Sequence, residues 1–189
     1  MSETSKNETD EASEQQEAGW WQRIRSHTLA RWAIDLTIIA LVFAAVSAWQ
    51  TRDLVGSGEP APPTALRSLD GEVVDFEQYK GKKTMVVFWA PWCGVCGAES
   101  DNVDRVKSIL GDRINVTSVV LDYRGRDDIQ EFIDEHDVQY PVLLGEKHTA
   151  EKFRVSVFPT LYILDEDGHI EHTVAGYTTT LGMLWRVVI

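Results

Sequence analysis

An α/β sandwich around one sheet is the fold class this sequence predicts for residues 64–189, and three observations predict it. Short apolar runs rich in β-branched and aromatic residues alternate there with helical periodicities. The last elements are a hairpin and an amphipathic helix, which close such a sheet. A Gly/Pro segment, Gly56-Ser57-Gly58-Glu59-Pro60-Ala61-Pro62-Pro63, separates this stretch from an apolar run nearer the N-terminus and is expected to be a linker spanning 52–63. No internal repeat is visible.

The elements follow in order. Leu66 to Leu69 and Val73 to Phe76 flank Asp70-Gly71, a hairpin signal. Lys80-Gly81-Lys82 turns the chain into Met85-Val86-Val87-Phe88-Trp89, a buried strand by composition. Val103, Val106 and Leu110 then recur at helical spacing. Val116 to Leu121 is expected to form a second buried strand, and Asp127 and Asp128 open a helix with Ile129, Phe132 and Ile133 on one face. Tyr140 to Leu144 is a short apolar segment, and Ala150 to Phe153 a brief helix. Leu161 to Leu164 and Ile170 to Val174 pair across Asp165-Glu166-Asp167-Gly168. Leu181, Leu184, Trp185 and Val188 mark the apolar face of the final helix.

The 189 residues carry a net charge of −12, which argues against nucleic acid as a partner. Part of that charge is local. Before Trp20, six carboxylates face only Lys6, and nothing after Met1 is bulky enough to build a core, so residues 1–19 are expected to be a disordered acidic tail. Residues 20–51 contain the apolar run from Trp32 to Trp49, in which Asp35 is the last charge before Arg52. As a helix that run rises roughly 27 Å, close to the ~30 Å hydrocarbon core of a bilayer. Trp20, Trp21, Trp32 and Trp49 suit its interfaces. Arg23, Arg25 and Arg31 precede the run, so the N-terminus is expected in the cytoplasm and everything after Gln50 outside. Two alternatives stay open: a signal cleaved near Val46-Ser47-Ala48, and a buried soluble helix.

The only two cysteines lie two residues apart in Trp92-Cys93-Gly94-Val95-Cys96, between a strand and a helix. A helix N-terminus presents unpaired N–H groups and partial positive charge, which stabilise a thiolate on Cys93. Cys96, one turn in, is placed to attack a mixed disulfide formed there. A structural disulfide is a weaker reading, since so short a loop removes little unfolded-state entropy. Zinc lacks two ligands unless His169 and His172 supply them, and copper(I) accepts soft thiolates.

Phe88-Trp89-Ala90-Pro91-Trp92-Cys93-Gly94-Val95-Cys96, together with Phe158-Pro159-Thr160, resembles the thioredoxin superfamily. More narrowly it is similar to the membrane-anchored TlpA/ResA-like thioredoxins, close to the suppressor of copper sensitivity protein D type. The resemblance implies a thioredoxin-like fold, a central mixed sheet flanked by helices, behind a single N-terminal transmembrane helix. It implies that Cys93 is the nucleophile and Cys96 the resolving cysteine, that Pro159 is a cis-proline facing them, and that Glu99 handles the Cys96 proton. A solvated Glu99 in the first helical turns is the competing reading. Trp92, Phe158 and Pro159 are, on the same resemblance, expected to form the substrate wall. Three departures stand out: Val87 replaces a buried aspartate, Asp101 replaces a helix proline, and bulky Phe158 precedes the cis-proline.

The expectation is a thiol–disulfide oxidoreductase on the bacterial inner membrane, single-pass, with its domain in the periplasm. It acts on protein or peptide disulfides, draws on a membrane-embedded or soluble thiol donor, and needs no cofactor. Gly94-Val95 offers no charge to stabilise a reduced form, which favours reduction of substrates over their oxidation. A copper(I) module and a disulfide-introducing oxidant are the rivals.

Overall fold

The computed structural model describes residues 32–42, 44–46, 54 and 56–188. The acidic tail, the arginines before the apolar run, and its end at Trp49 lie outside the described residues. Residues 32–42 and 44–46 are helical (α1) and exposed all round. Among the described residues no helix is long and apolar enough to cross a membrane.

From Ala65 onward the chain forms a seven-stranded mixed sheet in the order β2-β1-β5-β4-β3-β6-β7. The strands are β1 (Ala65–Ser68), β2 (Val73–Asp75), β3 (Thr84–Trp89), β4 (Asn115–Val120), β5 (Val142–Leu144), β6 (Thr160–Leu164) and β7 (Ile170–Ala175). The helices are α2 (Gly94–Leu110), α3 (Arg126–Glu135), α4 (Lys147–Lys152) and α5 (Thr180–Val188). β3 is buried along its whole length because it pairs on both sides, parallel with β4 and antiparallel with β6. β4 and β5 are also parallel, and the two hairpins β1–β2 and β6–β7 complete the sheet. This is a thioredoxin-like arrangement.

Strand alternation sorts the core into two faces. Met85, Val87, Leu161 and Ile163 meet Val103 and Val106 of α2 and Met183 and Val187 of α5. Further along the same face, Trp89, Val120 and Val142 receive Ile129 and Phe132 of α3. Val86, Phe88, Val119 and Tyr162 point the other way, onto Phe76 and Phe153. Each fully buried aliphatic or aromatic side chain there contributes about 1.5–3 kcal/mol.

Four local readings change. Phe76 leaves the hairpin and opens a short 3-10 turn, because Asp75 Oδ1 accepts the Glu77 N–H at 3.1 Å. α4 starts at Lys147, three residues before the expected Ala150, where the Thr149 hydroxyl accepts the Glu146 N–H at 3.3 Å. α5 buries Met183 and Val187, whereas Leu181, Trp185 and Val188 face outward. Two apolar stripes compete on that helix, and packing on α2 and β3 selects the narrower one. Finally, part of the segment expected to be a free linker runs along the start of β7. Gly58 and Ala61 donate N–H groups to the carbonyls of Ile170 and Gly168, at 2.7 and 2.9 Å, and the Ile170 N–H donates to Glu59 at 2.8 Å.

Candidate active site

β3 delivers the dithiol. After Trp89 the chain turns at Ala90-Pro91, whose carbonyl at Ala90 accepts the Cys93 N–H at 3.0 Å. Cys93 is the N-cap of α2, and its Sγ accepts the Cys96 N–H at 3.2 Å. The sulfur therefore sits against the unpaired donors of a 17-residue helix, where negative charge is favoured. Asp101, at the position of the missing proline, lies within that one continuous helix. Cys93 and Cys96 form a disulfide. Their relative exposures are 8% and 3%, a smaller contrast than an open nucleophile beside a shielded partner.

Trp92 stands 66% exposed beside the pair, and its indole N–H is held by the Asp122 carbonyl and Oδ2 at 3.2 and 3.0 Å. Its ring meets Phe158 edge-on, with centroids 5.7 Å apart. The Phe158–Pro159 bond is cis. Phe158 packs against the core cluster that contains both cysteines, and the Pro159 carbonyl accepts the Gly176 N–H at 2.8 Å. Trp92, Cys93, Phe158 and Pro159 are thus gathered at one end of the sheet. Hollows of about 570 and 550 Å³ flank this group: Leu121, Gly145, Ala150 and Phe158 line the first, and Trp92, Asp122, Glu131 and Glu135 the second.

Val87 is buried in an apolar cluster, and the buried carboxylate closest in sequence to the cysteines belongs to α2 instead. Glu99 is not solvated: it is 1% exposed, one turn past Cys96. Oε1 accepts the Thr178 N–H at 2.6 Å, while Oε2 is buried without a partner. Burial pushes the carboxyl up to about 7, and the Thr178 N–H opposes part of that rise. Ser100 Oγ donates to the Cys96 carbonyl at 3.1 Å, and burial also pushes the Tyr140 phenol nearby upward.

The sequence reading missed Asp122, Asn102 and Thr178. Asn102 had a signal, because Cys96, Glu99 and Asn102 recur every three residues on one helix. Thr178 had none, lying 79 residues from the carboxylate it meets. Of the candidate zinc ligands, His169 lies in the β6–β7 turn, with Nδ1 3.8 Å from Asp165, at the end of that hairpin away from Pro159. No group of three His, Cys, Asp or Glu side chains among the described residues is placed to hold a metal.

A thioredoxin-like sheet with a Cys-x-x-Cys pair opening the helix after an inner, fully buried strand defines a thiol–disulfide oxidoreductase, and Cys93–Cys96 is its active-site pair. Residues 57–173 match the model of the AhpC/TSA family, and the chain belongs to that family. It is 30% identical to the thioredoxin-like protein YneN of Bacillus subtilis over 158 residues, covering 80% of this chain and 93% of that protein. It is 29% identical to the thiol-disulfide oxidoreductase ResA of Oceanobacillus iheyensis over 164 residues, 82% and 84% of the two chains. Among solved structures, a putative thiol:disulfide interchange protein DsbE from Chlorobium tepidum superposes with a TM-score of 0.66 at 22% identity, covering 71% of this chain and 96% of that one.

Proposed function

We propose that the protein reduces disulfides in polypeptide substrates outside the cytoplasm while tethered to the bacterial inner membrane. The Cys93 thiolate attacks a substrate disulfide, forming a Cys93–substrate bond and releasing one substrate thiolate. Cys96 passes its proton to the Glu99 carboxylate and attacks the Cys93 sulfur, which closes the Cys93–Cys96 disulfide and releases the second thiolate. A thiol donor then returns two electrons to the pair. Trp92, Phe158 and Pro159 form the wall along which the substrate lies in extended form. The observation that carries this reading is the pairing of an N-capping Cys93 with a buried carboxylate one turn beyond Cys96.

Direction rests on potential. Gly94 and Val95 add no side-chain donor that would stabilise the reduced pair, which favours a potential nearer the roughly −270 mV of thioredoxin than the roughly −120 mV of a strong oxidant. The anchor reading rests on Trp32 to Trp49. Its described part is helical and apolar except for Asp35 and Thr37, and Thr37 satisfies its hydroxyl on the Ala33 carbonyl at 2.8 Å. Residues 1–19 form a cytoplasmic tail and residues 64–189 the exported domain.

Cys96→Ser tests the order of attack. Exposed to a peptide disulfide, this variant is expected to accumulate a mixed disulfide at Cys93, whereas Cys93→Ser accumulates none at Cys96. Equal trapping at both positions contradicts the assignment. The copper(I) rival requires instead that the reduced domain bind the metal stoichiometrically and turn over no disulfide.

A further inference from the structure

α2 presents three buried polar side chains on one stripe: Cys96, Glu99 and Asn102. The proposed reaction uses the first two. The Asn102 amide is fully engaged without touching either. Nδ2 donates to the Thr178 carbonyl at 3.2 Å and to the Tyr177 hydroxyl at 2.9 Å. Oδ1 accepts from Thr180 Oγ1 at 2.9 Å and from Arg105 at 3.4 Å. Asn102 thereby clamps the Tyr177–Thr180 segment, which joins β7 to α5, across the helix that carries the dithiol.

Thr178 is also the residue whose N–H reaches Glu99 Oε1. Its carbonyl is held by Asn102 and its N–H by Glu99, so the residue is fixed from both sides. We infer that Asn102 is a positioning residue for the redox step, acting through Thr178 to hold Glu99 in place for proton exchange with Cys96. The inference rests on the reading of Glu99 as the proton carrier.

The chemistry has a definite sign. An N–H donor favours the ionised carboxylate, so releasing Thr178 makes Glu99 a group that keeps its proton to higher pH. Resolution by Cys96 then needs more alkaline conditions. The other groups around this site leave that sign unchanged. On α2, Asp101 and Asp104 are acidic neighbours, burial holds the Asp104 carboxyl above the usual carboxylate range, and Arg105 reaches Asn102 rather than Glu99. Tyr140, before β5, is held neutral by burial, and Tyr177 contributes a hydroxyl on the opposite side of the clamp.

The test follows the resolving step in the full-length protein, by single-turnover release of thiol from a Cys93 mixed disulfide across pH 5 to 9. Asn102→Ala is expected to move the midpoint upward by about one pH unit. Tyr177→Phe removes one contact to Asn102 from a half-exposed ring, so it serves if Asn102→Ala does not fold, with a smaller shift in the same direction. Adding Asn102→Ala to Glu99→Gln is expected to change the profile no further than Glu99→Gln alone. Lower stability with an unmoved midpoint overturns the role of Asn102 and leaves that of Glu99 standing. A Glu99→Gln profile identical to that of the parent overturns the Glu99 reading itself, and the Asn102 role with it.

Discussion

At the scale of single residues, Glu99 sets stability against chemistry. Its carboxyl titrates at about 7 in the folded protein against 4.5 for the free group. Between those values the folded protein keeps a proton that the unfolded chain has released. Stability therefore falls as pH rises from about 4.5 to about 7, and levels off above that. Glu99→Gln cannot ionise, so it is expected to raise stability at pH 8 by up to about 3 kcal/mol, to flatten this pH dependence, and to slow disulfide exchange. Urea unfolding of both proteins at pH 5 and pH 8 checks the first two. Equal midpoints at pH 8 would show that ionised Glu99 is better solvated than its burial implies. The residue was nameable from its place three positions after Cys96, but its burial was not. Burial depends on the segment from β7 to α5, which covers it from far along the chain.

At the scale of elements, two glycines mark where neighbours approach too closely for a side chain. A Cβ on Gly145, between β5 and α4, would lie 2.6 Å from both Leu121 and Val119 and 3.1 Å from the Val120 carbonyl. Those groups belong to the buried centre of the sheet and cannot withdraw. Gly145→Ala is expected to cost about 1–3 kcal/mol. The atoms nearest a Cβ on Gly97 all belong to the His136 ring, from 2.3 Å. That ring is half-buried and can swing outward, losing its edge contact with Phe132 at 4.5 Å. Gly97→Ala is therefore expected to cost under about 1 kcal/mol. Denaturant midpoints of the two variants decide, and a reversed order would contradict the packing argument. Neither glycine announces this role in the sequence, because only space forbids a side chain there. The same limit explains α5: its periodicity predicted a helix, but which apolar stripe faces inward was chosen by α2.

At the scale of the whole molecule, charge and topology carry the expectations. The net charge is −12, and the hollow beside Trp92 is lined by Asp122, Glu131 and Glu135, while Arg124 is bound to Asp128 at 2.9 Å. A negative field around the dithiol speeds the approach of cationic substrates. Exchange with a lysine-flanked peptide disulfide is expected to outpace exchange with a glutamate-flanked one at low salt, and the gap to shrink by 0.5 M salt. Equal rates at low salt would remove electrostatic steering. A reporter fused after Ile189 is expected to be active only outside the cytoplasm, with the protein retained in membranes after a high-salt wash. Release of a soluble form beginning near Trp49 would favour cleavage of the apolar run.

The sequence by itself determined the strand–dithiol–helix unit, the two hairpins and the class of chemistry, because these rest on local spacing: two cysteines one helical turn apart, alternation along strands, and glycines at turns. The tertiary structure alone decided that Glu99 is buried, that Trp92 is held by Asp122, that the Trp92 and Phe158 rings meet edge-on, and that residues 58–61 pair with the start of β7. Each of these joins residues tens of positions apart. Burial, orphaned oxygens and shifted proton affinities arise only when such distant segments exclude water together, and no local pattern encodes which segments will meet.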